Sequence, residues 1–305
     1  MTGSILRWGP LALVLAAGVG AVAGAQQSAK LQGFASAEAA ATALTEAVRR
    51  GDGKAIAAML GDSWRDFLPS DQDAGREQAA YLAAWDENHK VSVADGTTAT
   101  LEVGKTGWTL PVPIVKDGAE WRFDTAAGYK ETQARQFGHD EFGAIQTLLA
   151  IVDAQHEYAE LDPMKTGWPQ YARRLLSSPG KKDGLYWPAA PSDPQSPLGP
   201  AVANAQPDGS APGGHYGYNF RLLYAQGSAA PGGAHDYVVD GHMIGGFAAI
   251  AWPVRYGETG VMTFIVSWSG NVYQQDLGPE TAQRAAAMVT FNPDRGWEKA
   301  DTTPP

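Results

Sequence analysis

Ile244-Gly-Gly-Phe247-Ala-Ala-Ile250-Ala-Trp252-Pro253, Val261-Met-Thr-Phe264-Ile-Val266-Ser-Trp268 and Asn271-Val272-Tyr273-Gln-Gln-Asp276-Leu277-Gly278 are three apolar or alternating runs joined by Gly257-Glu-Thr-Gly260 and Ser269-Gly270. Blocks this short, rich in β-branched and aromatic residues and closed by glycine turns, spell strands, and the first is apolar on both faces, as a buried strand is. Upstream, Tyr216-Gly-Tyr218-Asn-Phe220-Arg-Leu222 alternates with a period of two, and Tyr237-Val-Val239 leads into an Asp240-Gly241 turn. Consecutive strands with tight turns build an antiparallel sheet. Before them, from about His139 to Ala159, Ile145, Leu148, Leu149 and Val152 form one helical stripe with His156 on or beside it. Asp140 reads as the cap of that helix and Asp162-Pro163 as its stop. A helix packed on an antiparallel sheet makes 131–300 an α+β module. Its Tyr216, Tyr218, Tyr237 and Tyr273 are expected on exposed strand faces.

Between helix and sheet, Gly180 to Gly214 holds seven prolines and reads as an irregular excursion over the surface of the module. Residues 30–130 form a second α+β pattern. Ser36 caps a helix that ends at Arg49-Arg50-Gly51, a short helix spans Lys54 to Leu60, and a third runs from about Ala74 to Asn88. Period-two segments follow at Val91–Val93, Ala99–Val103, Trp108–Ile114 and Trp121–Phe123, the last two joined by Lys116-Asp117-Gly118. Pro111 and Pro113 mark an edge strand.

The chain has 305 residues, enough for two domains. Its formal charge of −10 excludes the electrostatic footprint of a nucleic-acid binder. It has no cysteine, which removes disulfides, thiolate metal sites and cysteine nucleophiles together. Arg7, the apolar run Leu11–Val22 and Ala23-Gly24-Ala25 read as a secretory signal, 1–25, with cleavage after Ala25 and no stable membrane insertion afterwards. A periplasmic or secreted location follows.

No dinucleotide fingerprint, phosphate loop, nucleophile elbow or zincin helix occurs, so neither a catalytic residue nor a cofactor is assigned. Two constellations stand out. Trp64, Tyr81, Trp85, Trp108 and Trp121 sit at packing spacing in the first module and are the candidate lining of a ligand pocket. His215, His235, Asp236 and His242 bracket the turns of the second and would suit a divalent metal if the Ala229–Met243 segment folded them together. His89, after Asp86-Glu87, reads as a basic residue at a helix end.

Tyr216-Gly-Tyr-Asn-Phe-Arg, Gly245-Gly-Phe-Ala, Ala251-Trp-Pro-Val-Arg-Tyr-Gly-Glu-Thr-Gly-Val-Met-Thr-Phe-Ile-Val and Val272-Tyr-Gln-Gln-Asp-Leu-Gly-Pro resemble the bacterial exported family called domain of unknown function 2950. The resemblance runs through essentially all of the chain after the leader and implies no activity. The order of helices and hairpin in 30–130 resembles the cone-shaped SnoaL-like fold. The helix Glu141–Tyr158, with the later Gly257-x-Thr-Gly-x-x-x-Phe264-x-Val and Ser269-Gly-x-Val272, is similar to pilin-like globular domains, without their long apolar anchor. The expectation is a non-enzymatic envelope protein acting as a binding or assembly module with an envelope protein as partner. The alternative is a small-ligand carrier or enzyme using a cavity in the cone-like module.

Overall fold

The computed structural model describes residues 31–67, 74–190, 192–207 and 212–303. Residues 1–25, where a secretory signal is expected, and the end of the chain lie outside them. The protein is α+β and divides into two compact units, Met1–Ala134 and Arg135–Pro304.

In the first unit α1 (Ala37–Arg50) and α2 (Gly53–Leu60) are followed by a 3-10 turn (Asp62–Phe67) and α3 (Ala74–Glu87). Ser36 Oγ accepts the Ala39 N–H, and Gly51, at φ 63°, turns the chain out of α1 as its N–H caps the last carbonyls. The strands β1 (His89–Val93), β2 (Thr98–Val103), β3 (Trp108–Thr109), β4 (Ile114–Asp117) and β5 (Glu120–Phe123) form an antiparallel sheet ordered β1-β2-β4-β5, with β3 on β2. The single strand expected over Trp108–Ile114 is two, because Pro111 and Pro113 withhold the amide hydrogens that a ladder needs. The core joins Ala40, Leu44, Ile56 and Met59 of the helices to Leu101, Ile114 and Phe123 of the sheet.

The long helix α4 (Thr125–Leu161) starts some fourteen residues earlier than its apolar stripe, and the division between the units falls within it. Asp124 is the cap, its Oδ1 accepting the Ala127 N–H at 3.0 Å. Asp140 lies mid-helix, where its Oδ1 accepts from Gln136 Nε2 at 2.9 Å.

Beyond α4, the second unit contains α5 (Pro200–Ala203), β6 (Tyr218–Leu223), β7 (Ala225–Gln226), β8 (His235–Asp236), β9 (Val238–Val239), β10 (His242–Met243), β11 (Ala248–Pro253), β12 (Met262–Ser267), β13 (Val272–Asp276), α6 (Thr281–Ala287), β14 (Thr290–Phe291) and β15 (Glu298–Lys299). The main sheet is antiparallel in the order β15-β13-β12-β11-β6. Its middle strand pair, β11 and β12, is almost wholly buried, as the two-faced apolar pattern requires. A smaller sheet, β14-β7-β8, contains a parallel pairing of β14 with β7. The helix α6 packs on β11, and Arg221 of β6 caps its end by donating from Nη2 to the carbonyls of Ala285, Ala286 and Met288.

The proline-rich stretch is mostly irregular and lies on the module as a packed strap, with Leu185, Trp187, Leu198, Ala203 and Ala205 among the core residues. One expectation changes here. Tyr218 and Tyr237 are fully buried, Tyr273 is half-buried, and of the four expected exposed tyrosines Tyr216 alone is exposed. Each buried hydroxyl has an acceptor, the Met262 carbonyl for Tyr218 and Gln226 Oε1 for Tyr237, so the rings count as core without stranding a polar atom.

Candidate functional site

Four of the five candidate pocket aromatics, Trp64, Tyr81, Trp85 and Trp121, meet at the core of the first unit, and Trp108 lies outside it. Trp85 is buried, with its ring stacked 3.9 Å from that of His89, whose Nδ1 lies 3.0 Å from the Trp85 carbonyl. Trp64, Tyr81 and Trp121 are partly buried against the same cluster. The Tyr81 hydroxyl pairs with Thr45 Oγ1 at 2.7 Å, and Trp108, 39% exposed, stands edge-on to the Tyr81 ring.

The four residues considered for a metal are occupied separately. His215 packs on Tyr216, His235 Nε2 lies 3.1 Å from the Gly245 carbonyl, Asp236 is exposed in β8, and His242 Nδ1 lies 2.9 Å from Gln170 Oε1. Among the described residues no three His, Cys, Asp or Glu side chains form a group that could hold a metal ion.

The most constructed surface of the second unit is the loop that leaves α4. Asp162 and Lys165 both have positive φ, 39° and 55°, a region that costs non-glycine residues roughly 1–2 kcal/mol each. One carboxylate holds this conformation. Asp162 Oδ1 accepts the N–H of Thr166 at 2.9 Å and lies 2.9 Å from its hydroxyl, while Oδ2 accepts the Gly167 N–H at 2.8 Å. Those backbone donors hold the Asp162 carboxyl below the ordinary carboxylate range. Thr166 in turn is 3.0 Å from the Trp168 carbonyl, and the Trp168 ring stands edge-on to His242 at 4.7 Å. The outcome is a rigid loop that leaves Leu161, Met164 and Trp168 exposed by 43%, 44% and 39%. Beside it lies a cleft of about 210 Å³ lined by Leu161, Asp162, Pro163, Lys165, Lys182, Trp187 and Pro194. Asp162 directly follows the last residue of α4, so the same bonds that shape the loop also end the helix.

A second polar cluster is internal. Glu141 Oε1 accepts the N–H groups of Val261 and Met262, each at 3.0 Å, and so ties α4 to β12. Burial pushes the Glu141 carboxyl above its ordinary range, the two backbone donors oppose this, and Asp276 and Asp140 add repulsion. Burial likewise pushes the neighbouring Tyr218 phenol far up.

A family model described as "Protein of unknown function (DUF2950)" matches residues 31–300. The chain belongs to the DUF2950 family. No curated protein and no solved structure matches it.

In this DUF2950 protein a glutamine at 141 would satisfy both strand donors with no buried charge, which gives a prediction with a definite sign. Folding raises the Glu141 pKa, so the folded state holds the extra proton more tightly than the unfolded one. Stability therefore falls as pH rises from the ordinary glutamate value through the raised one, and the penalty is complete above it. Glu141→Gln is expected to melt higher than wild type at pH 7, and the difference is expected to vanish below the ordinary glutamate range. Melting curves from pH 3 to 8 test this, and a variant that melts lower at pH 7 overturns it.

Asp162-Pro163 carries two signals at once: it marks a helix stop, and as the start of Asp-x-x-x-Thr-Gly it also supplies the acceptor and donors of a closed loop.

Proposed function

We propose that the protein is an exported binding module of the bacterial envelope, with no catalytic role, and that it engages its partner through the Leu161–Trp168 loop and the cleft behind it. Export is supported by the signal-like Arg7, Leu11–Val22 and Ala23-Gly24-Ala25. Likenesses to pilin-like and SnoaL-like modules are in keeping with binding or assembly. Among the described residues no helix is long and apolar enough to cross a membrane. The observation that carries the reading is the Asp162 clamp: three hydrogen bonds and two strained residues hold a loop whose apolar side chains point into solvent. A preorganised surface loses little conformational entropy on binding.

The test is photo-crosslinking in cells with a benzophenone side chain at position 164. Envelope adducts are expected, reduced about tenfold by Trp168→Ala, as befits an exposed indole acting as a binding anchor. Adducts unchanged by Trp168→Ala, with the variant as well folded as wild type, would refute the reading.

A further inference from the structure

We infer that the cleft takes the carboxylate of an acidic peptide segment, with Lys165 and Lys182 as its counter-ions and Trp168 under the neighbouring apolar side chain. This rests on the binding reading above and gives it a ligand chemistry.

The charge argument comes first. In a chain of formal charge −10, two lysines line one small cleft, and neither ammonium has a carboxylate partner among the described residues. The Lys182 ammonium lies 5.3 Å over the Trp187 ring instead. The one carboxylate in the lining, Asp162, has its oxygens taken by Thr166 and Gly167. Nearby, Asp183 is bonded to Ser178 and lies 3.9 Å from Arg174. With Asp162 ionised the lining still carries one net positive charge, and such a concavity on an acidic protein favours an anionic group.

Volume then restricts what carries the anion. A cleft of about 210 Å³ is below the roughly 300–1,000 Å³ of pockets that enclose whole small ligands. It suits one side chain or end group of a larger molecule. The walls are apolar: Pro163, Pro194 and the face of Trp187, whose indole N–H is already donated to the Pro194 carbonyl at 3.2 Å. Leu161 adds an apolar side chain to the lining, and the loop that follows it carries the exposed Met164 and Trp168. Carboxylate at the centre and apolar groups on both sides is the pattern of Glu or Asp between apolar residues in an extended peptide. A free phosphate would leave these apolar side chains unused. An anionic bilayer needs a broad basic face, which two lysines on a chain of charge −10 do not make.

The test uses the full mature protein and fluorescein-labelled peptides in which a central Glu is flanked by Leu and Phe, together with the Glu→Gln and Glu→Lys versions. Fluorescence anisotropy should show binding of the Glu peptide, weakened about tenfold or more by Glu→Gln, by Trp168→Ala and by Lys182→Glu, and weakened by added salt. The doubly reversed protein, Lys165→Glu with Lys182→Glu, should prefer the Lys peptide, an exchange that loss of folding cannot produce. Equal binding of Glu and Gln peptides overturns the inference. So does lysine-dependent binding of phosphatidylglycerol vesicles, a polyuronate or inorganic phosphate without binding of the peptide. If the position-164 adducts persist and depend on Trp168 while the acidic peptide fails, the ligand assignment falls and the binding surface stands. Loss of both removes both.

Discussion

Gln155→Leu should lower the stability of the second unit by about 3 kcal/mol. Gln155 is fully buried on α4, and its side chain acts as a strand partner for one residue of the segment that follows the helix: Nε2 donates to the Ala172 carbonyl at 2.9 Å and Oε1 accepts the Ala172 N–H at 2.7 Å. Leucine keeps nearly the same volume, so little of the loss comes from a cavity. It comes from two backbone groups of a buried residue left without partners, at about 1–3 kcal/mol each. Urea denaturation gives the total, and hydrogen exchange at the Ala172 N–H gives the local effect. A midpoint shifted by less than the equivalent of about 0.5 kcal/mol, with Ala172 still protected, would mean that the helix and the segment around Ala172 are held by packing alone.

Gly214→Ala is expected to cost about 2–4 kcal/mol, and soluble yield should fall with it. The residue sits at φ 67°, and a Cβ there would lie 2.2 Å from the Tyr218 carbonyl oxygen and 2.9 Å from Val254 Cγ2. That carbonyl cannot retreat easily, because it accepts the His215 N–H at 2.9 Å and belongs to a fully buried residue. Gly241→Ala is the matched control. Gly241 has φ 82° with nothing within 4 Å of the added atom, so it carries the conformational cost of roughly 1 kcal/mol without the clash. Thermal melts of the two variants separate the contributions, and equal losses would remove the steric part of the argument.

The regular elements were legible where local chemistry announces itself. Ser36 and Gly51 delimit α1, Asp117-Gly118 closes the β4–β5 hairpin, and the turns at Gly257–Gly260 and Ser269-Gly270 separate β11, β12 and β13. Legibility failed where tertiary contacts decide. The first turns of α4 run through Ala126, Ala127 and Gly128 with no apolar period, so its beginning was read at the stripe. Alternation placed Tyr218 and Tyr237 on strand faces, but which face is buried depends on what packs there, and α4 lies near one of them through Glu141. The Asp162 loop and the Gln155–Ala172 pair are polar residues whose partners are set by geometry over 4 to 17 positions, which periodicity does not register.

The two cores differ in how much of the chain each must wait for. The first draws on residues from Ala37 to Phe123, whereas the second gathers Ala144 through Phe291 and Ala300, with β14 returning to lie parallel to β7 and β15 closing on β13. A chain that emerges N-terminus first can therefore finish its first core early, but its second stays open until nearly the last residue has arrived. Through that interval the apolar strands β11 and β12 exist without their covering, which makes the order of emergence, more than the final stability, the period in which this protein is exposed to aggregation.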